Sequence, residues 1–206
     1  MASYPAIAAT TKAIVSLLGD AYQVDEDIKK DVPEAKFVGF MATDFTKPVP
    51  VIPKNGMSLY LYRALVNTSR RNLQPRTDFI TGERFKPSLP LDLFYLLTPW
   101  GESVDLLQNL LAWTMRTLND YSTLNANLIN SYWLLNSHIF GSNEAIELVC
   151  DTMPVTDLNA VVEPFKPKAQ LSVPYVARMV LIDSTIAMNE YAPVQVRAFD
   201  IKQVES

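Results

Sequence analysis

Cysteine and histidine are nearly missing from this sequence: Cys150 and His138 are each the only residue of their kind among 206. One cysteine cannot form an intrachain disulfide, which excludes a secreted fold stapled by bridges. One thiol and one imidazole cannot build a zinc site of the usual histidine and cysteine type. Glycine is sparse as well. The six, at positions 19, 39, 56, 82, 101 and 141, stand far apart, so no glycine-rich phosphate loop or dinucleotide fingerprint can form from local sequence. No apolar run approaches the roughly 18 residues that cross a bilayer. The opening MASYPAIAATTKAIVSLLGD has no basic region before its apolar part and carries Pro5, so it does not read as a signal peptide. The expected compartment is therefore the cytoplasm of the producing cell.

Charge is modest. Eighteen basic residues stand against 22 acidic ones, a net −4, which argues against a surface built to neutralise many phosphates. Arg70, Arg71 and Arg76 form the one basic cluster, read as a solvated loop or a protein-contact loop. With 49% hydrophobic and 19% charged residues the chain has enough apolar surface to fold, and 206 residues suit one domain.

Catalytic patterns are absent. There is no GxSxG elbow, and a Ser–His–Asp arrangement would have to recruit His138 from NSHIFGS, which reads as a loop. Asp25, Glu26 and Asp27 lie among lysines and read as a solvated face rather than paired catalytic carboxylates. A metal held only by carboxylates has no spacing motif behind it, and no cofactor is expected. Cys150 ends the apolar run IELVC and is expected to be a buried structural thiol.

What the chain does have is two long strand-like runs, MSLYLYRALV at 57–66 and LPLDLFYLLT at 89–98. Period-two spacing puts Leu59, Leu61 and Leu65 on one face of the first, and Leu89, Leu91, Leu93, Tyr95 and Leu97 on one face of the second. Arg63 then falls on the leucine face of its run and Asp92 opposite the leucine face of its own. If the runs pair, these two sit at a strand edge or reach a subunit boundary, where an ion pair fixes register more than it stabilises.

Other elements follow from spacing and punctuation. Ser3 is a candidate cap for a helix with Ile7, Thr11, Ile14, Val15 and Leu18 on its buried stripe and Gly19 as its stop. Residues 20–34 read as a solvated loop closed by Pro33, and 36–42 as a short strand. Pro48, Pro50 and Pro53 make 44–56 an extended arm or edge, and 68–88 is a long loop of the kind that carries function.

A helix is expected from Glu102 and Ser103 to about Asn119, with Val104, Leu107, Leu111, Met115 and Leu118 in one stripe. Leu106, Leu110 and Trp113 widen that stripe, so the helix either lies between two layers or meets another subunit. Five asparagines weaken 120–143 to short helical pieces and loop. Residues 145–150 read as a strand, Thr156 as the cap of a helix through Val162, and 172–185 and 193–201 as strands joined through NEYAP. The fold class is α+β: a single domain spanning 1–206, mostly antiparallel sheet flanked by helices.

The ordered set Leu61-Tyr62-Arg63 with Arg71-Asn72, then Pro90-Leu91-Asp92-Leu93 with Tyr95-Leu96-Leu97-Thr98, then Ser172 and Tyr175 ahead of Ile182-Asp183-Ser184 resembles a known family. It is similar to the N-terminal domain of cap proteins from extracellular contractile injection systems, the phage-tail-like particles of the antifeeding-prophage and virulence-cassette kind. The likeness runs from TTKAIVSLL at 10–18 nearly to the end. Pro164-Phe165 stands where the family has a tryptophan, and Phe94 where a histidine is common.

The resemblance implies a tail-terminator-like fold without catalytic residues, cytoplasmic assembly in a bacterium, and a cap on the inner tube that meets the last sheath ring. It implies a homo-oligomer, usually a hexamer, with inner-tube and sheath proteins as partners and neither nucleic acid nor membrane insertion. The chain is expected to stop after the domain that longer relatives share. The candidate subunit or tube interface is Arg63, Arg70, Arg71, Asn72, Arg76 and Asp92. A phage tail terminator or completion protein is the near alternative, and a particle-borne hydrolase with convergent carboxylates in a deep pocket the distant one.

Overall fold

A computed structural model describes residues 4–46, 53–70, 72–78, 81–133, 139–165 and 171–188. In chain order the elements are α1 (Ala6–Val24), α2 (Glu26–Asp31), β1 (Lys36–Phe40), a 3₁₀ turn (Ala42–Thr46), β2 (Gly56–Val66), a second 3₁₀ turn (Thr68–Arg70), β3 (Arg76–Thr77) and β4 (Arg84–Phe85). Then come β5 (Leu89–Trp100), α3 (Val104–Asp120), β6 (Thr123–Asn125), α4 (Ala126–Ser131), β7 (Ala145–Cys150), α5 (Val155–Val162), a third 3₁₀ turn (Glu163–Phe165) and β8 (Val173–Ile182). Six strands form one sheet in the order β1-β2-β5-β8-β7-β6, and β3 pairs with β4 in a small separate ribbon. Only β1 on β2 is parallel; every other described pairing is antiparallel. The expected α+β class with a mostly antiparallel sheet is what the chain adopts.

The two long runs are the adjacent strands β2 and β5. Helices α1 to α4 cover one face of the sheet, burying Met57, Leu59, Leu93, Tyr95, Leu97, Tyr175 and Ala177. On the other face Phe40, Phe45, Leu96, Trp100 and Val162 form a smaller aromatic cluster under the first 3₁₀ turn and α5. Trp100 closes that cluster with its indole Nε1 donating to Ser58 Oγ at 2.8 Å. Leu93, Leu96 and Leu97 are completely buried, each worth about 1.5–3 kcal/mol of transfer free energy.

Two bulges change which residues face the core. In β2 the register jumps between Leu61, opposite Tyr95, and Arg63, opposite Phe94. One extra residue inverts the alternation beyond it. Leu65 therefore leaves the face of Leu59 and Leu61, pairs with Asp92 and is exposed, and Arg63 joins Phe94 on the opposite face, contrary to the period-two expectation for both. Leu89, also expected inward, is exposed at the outer end of β5, opposite Ile182.

Helix faces are rotated relative to expectation as well. In α1 the buried stripe is Ala6, Ala9, Thr10, Ala13, Ile14, Leu17, Leu18 and Tyr22, with Ile7, Thr11 and Val15 at its margin. Small side chains allow close approach to the sheet, and buried Thr10 satisfies its hydroxyl on the Ala6 carbonyl at 2.8 Å. Pro5 occupies the N-cap, and Ser3 lies outside the described residues. Gly19 does not stop the helix; it continues to Val24, where Asp25 turns extended and caps α2 through the amides of Asp27 and Ile28. Residues 20–24 and 26–31 are thus helical rather than loop.

Helix α3 begins where expected, and Ser103 caps it, accepting from the Leu106 amide at 3.2 Å. Its buried face is Leu110, Thr114, Thr117 and Leu118, leaving Val104 exposed. Trp113 reaches across to Tyr22 and Phe37, with ring centroids 6.3 and 5.8 Å away, and its indole donates to Asp25 Oδ2 at 2.8 Å. Helix α5 begins at Val155 after Pro154 without a side-chain cap, so Thr156 does not serve as one. The segments 47–52 and 189–206, including the expected strand at 193–201 and its turn, lie outside the described residues.

Cys150 is exposed, not buried. It is the last residue of β7, and the cover that buries Ile146 and Leu148 does not extend to it. Partial burial and the neighbouring Asp151 still hold its thiol above the ordinary pKa, which leaves it accessible but unactivated. A thiol probe such as DTNB is expected to label Cys150 in the native protein without denaturant; labelling only after unfolding would contradict this exposure.

Gly56 makes the parallel β1–β2 contact. Its φ is +150°, and a Cβ there would lie 2.0 Å from the Lys36 carbonyl oxygen and 2.8 Å from the Lys36 nitrogen. Replacement Gly56→Ala is expected to lower stability by roughly 1–3 kcal/mol from the backbone conformation alone, with the collision adding to it. Urea denaturation checks this, and an unchanged midpoint would contradict the close approach.

Candidate assembly surface

Among the described residues no group of three or more His, Cys, Asp or Glu side chains could hold a metal. No described helix is long and apolar enough to cross a membrane. The acidic run is spent locally: Asp25 caps α2, and Glu26 and Asp27 each pair at 2.8 Å with Lys29 and Lys30. The Trp113 indole, followed by the Ile28 amide, holds the Asp25 carboxyl below the usual range.

Asp92 is the most connected of the expected interface residues, and its partners lie within the fold. It sits where β8 bulges, with Arg178 and Met179 both between the partners of Leu91 and Leu93. Met179 adopts φ +66°, a left-handed conformation that costs a non-glycine residue about 1–2 kcal/mol. Asp92 Oδ1 accepts the Met179 amide at 3.2 Å, and Asn67 Nδ2 donates to both carboxylate oxygens at 3.1 and 3.0 Å. Asn67 also holds the next turn, its Oδ1 accepting the Arg70 amide at 3.1 Å. One carboxylate thereby ties the end of β2, the start of β5 and the bulge of β8, and sets where the arginine-rich segment leaves the sheet.

Arg63 and Asp92 share a face, but among the described residues no ion pair joins them. Arg63 stands 5.8 Å over the Phe94 ring, exposed on one side. Arg70 and Asn72 are exposed beyond the Asn67 turn, and Arg71 lies outside the described residues. Arg76 is not part of that exposed group. Its guanidinium lies 4.4 Å over the Phe85 ring, and its Nε is 3.8 Å from Asp183 Oδ2.

Segment 68–88 is accordingly more ordered than an open loop. β3 and β4 form a ribbon closed by Asp78, whose carbonyl accepts the Gly82 amide at 2.7 Å, with Gly82 at φ +74°. Residues 186–188 then pair along β4, the Lys86 amide donating to Ile186 at 3.0 Å and the Met188 amide to Arg84 at 2.7 Å. Ser88 Oγ donates to Asp183 Oδ1 at 2.5 Å. Beside them is a groove of about 430 Å³ where Glu144 accepts the Gly141 amide at 2.6 Å, its carboxyl raised in pKa mainly by burial. The first residues of the expected arm are docked too: Phe45 is buried among Phe40, Tyr60 and Trp100.

Among the described residues a strand edge and a groove lie side by side on the surface. β1 covers β2 only from Gly56 to Tyr60. Among the described residues nothing pairs with the outer edge of Leu61–Val66. Next to that edge a mainly apolar groove of about 580 Å³ runs under the first half of α1, lined by Tyr4, Ile7, Ala8, Thr11, Val15, Gly39 and Leu61 with the one charged residue Lys12. Sequence reasoning missed this seat, because its existence depends on where β1 stops relative to β2.

These features describe a mixed α+β fold, with α1 to α4 over one face of the sheet, α5 on the other, and one strand edge uncovered among the described residues. The chain belongs to the family described as the Pvc16 N-terminal domain, which matches residues 9–196. Its fold is similar to the sheath/tube terminator of an extracellular contractile injection system, PVC, in the extended state, with TM-score 0.57 and 15% identity over 97% of this chain and 64% of that one. It is also similar to the tube-terminating cap of the anti-feeding prophage, with TM-score 0.53 and 13% identity over 89% of this chain and 61% of the other. The chain thus spans less than two thirds of the length of either structure. No curated protein matches it.

Replacing Asp92 by Ala leaves the Met179 amide and Asn67 without their acceptor. The expected cost is about 1–3 kcal/mol, because an unmade hydrogen bond to a charged group is expensive in a partly buried site. Proteolysis within 68–88 is expected to accelerate in the same variant. Unchanged stability together with an unchanged cleavage rate would show that the clamp does not anchor this segment.

Proposed function

We propose that this protein is a structural terminator: it caps the inner tube and contacts the last sheath ring of a phage-tail-like contractile injection particle, and it turns over no substrate. Its membership of the Pvc16 N-terminal domain family over residues 9–196 carries this reading. The likeness in fold to a sheath/tube terminator and to a tube-terminating cap supports it, as does the want of any reactive cluster among the described residues. The partners are inner-tube protein, sheath protein and further copies of the same chain in a closed ring, six by analogy with the family. Assembly takes place in the cytoplasm of the producing bacterium, as part of a particle that is then released.

A ring places one demand on the monomer. Every contact in a cyclic oligomer larger than two is head-to-tail, so two different surfaces of one chain must fit each other. The rigid sheet holds the exposed Arg63, Arg70 and Asn72 at one end, and Arg71 lies between the last two in sequence. In this reading these residues face the tube or a neighbour, and Arg76 and Asp92 act from inside by holding the segment in place.

The role is tested by mixing the purified chain with tube protein, measuring particle mass and imaging tube ends. Rings at the ends and arrested tube growth are expected; growth past the protein, or conversion of a substrate by it, would overturn the reading. The variant Arg70→Glu/Arg71→Glu is expected to weaken tube or ring association at least tenfold with an unchanged circular dichroism spectrum. Association at wild-type strength would remove these two arginines from the contact.

A further inference from the structure

From the coincidence of the open β2 edge with the groove under α1, we infer that Leu61–Val66 is a strand-acceptor seat, filled in the ring by the 193–201 segment of a second copy of this chain. The inference rests on the ring reading above and names its head-to-tail contact. Two features of the acceptor are independent of each other. The first is backbone: β1 ends at Phe40, opposite Tyr60, and of the six further residues of β2 all but the bulge residue Tyr62 pair with β5, while among the described residues none pairs on the outer side. An open edge of this length is a template for another strand unless it is blunted. Arg63 is the one charged side chain among the six, and it leans over Phe94; Leu65 and Val66 are exposed aliphatics.

The second feature is side-chain space. A strand laid along Leu61–Val66 would continue the line that β1 abandons at Met41. On the α1 side it would meet a groove whose walls include Ala8 and Gly39, small enough to admit side chains of medium size. Tyr4 lines the same groove and is 87% exposed, so one aromatic side chain is available to close over an occupant. Edge pairing supplies affinity through the backbone, and alternate side chains entering a groove supply selectivity.

The occupant follows from the sequence. Residues 193–201, PVQVRAFDI, lie outside the described residues and alternate, with Val194, Val196 and Ala198 at every second position. Three apolar residues of small or medium volume at that spacing match a narrow apolar groove beside a strand. A seat on one surface and an added strand from another are the two unlike surfaces that a closed ring requires.

Two variants separate seat from occupant. Ala8→Glu puts a carboxylate in the groove from an exposed position of α1, and Val196→Glu puts one on the apolar face of the occupant. Each alone is expected to reduce self-association at least tenfold, with a folded circular dichroism spectrum. An equimolar mixture is expected to recover one contact per pair and run as a dimer, since one chain keeps the seat and the other the occupant. In the wild type, amide exchange within 61–66 is expected to slow as concentration rises.

Exchange within 61–66 that is slow at every dilution, with no dimer in the mixture, would mean that the segment folds back on its own chain and would overturn the inference. Protection that comes only with added tube protein would assign the seat to the tube instead. Full-strength rings from both variants would place the ring contact elsewhere and leave the terminator reading intact. A wild type that forms no oligomer even at tube ends would remove that reading and this one together.

Discussion

Strand β5 pairs with β2 along one edge and, as far as Leu97, with β8 along the other, and from Tyr95 to Trp100 it is buried, so the rest of the molecule is arranged around it. A strand in this position cannot rely on one helical layer. The leucines on one side need α1 and α3, while Leu96 and Trp100 on the other need the first 3₁₀ turn and α5. Polar groups along it are tied accordingly. Tyr95 shares its hydroxyl with Thr11 at 2.9 Å, and burial drives its phenol far above the usual pKa. Thr98 pairs with Ser172 at 2.8 Å. These bonds let a tyrosine and a threonine occupy a dry interior without the penalty of an unmade hydrogen bond.

From that constraint follows the division between a rigid half and a contact half. At its buried end β5 is locked by aromatic packing. At its other end, from Leu89 to Asp92, the cover thins, and shape is held by hydrogen bonds to one carboxylate and by the β3–β4 ribbon against residues 186–188. The exposed arginines and the open half of β2 are found at this second end. In this arrangement the apolar core supplies stiffness, and polar clamps set outgoing segments without burying them.

Much of this was legible in the residues. Both long strands, the helix expected to begin at Glu102 and Ser103, and the strands expected at 36–42, 145–150 and 172–185 follow from period and punctuation, and the structure has them within a few residues of those bounds. The ordered motifs from Leu61 to Ser184 pointed to the family that the chain belongs to. Less legible was the surface. Arg63, Arg70, Arg71, Asn72, Arg76 and Asp92 look alike in sequence, as polar residues around an apolar block. In space Asp92 is an internal clamp and Arg76 an internal stack on Phe85, while Arg63, Arg70 and Asn72 remain outside.

Local pattern by itself determined the two long strands and the approximate positions of most other elements, because periodicity and punctuation depend on neighbours within a few positions. Tertiary structure decided which face each side chain took. One inserted residue after Leu61 moved Leu65 outward, and in α1 Ala6, Ala9, Ala13 and Leu17 joined Ile14 and Leu18 on the buried face while Ile7, Thr11 and Val15 fell to its margin. The end of β7 left Cys150 uncovered, and an early end to β1 opened half of β2. Each depends on register between segments distant in the chain, and a period of two or 3.6 residues carries no information about where a partner begins or stops.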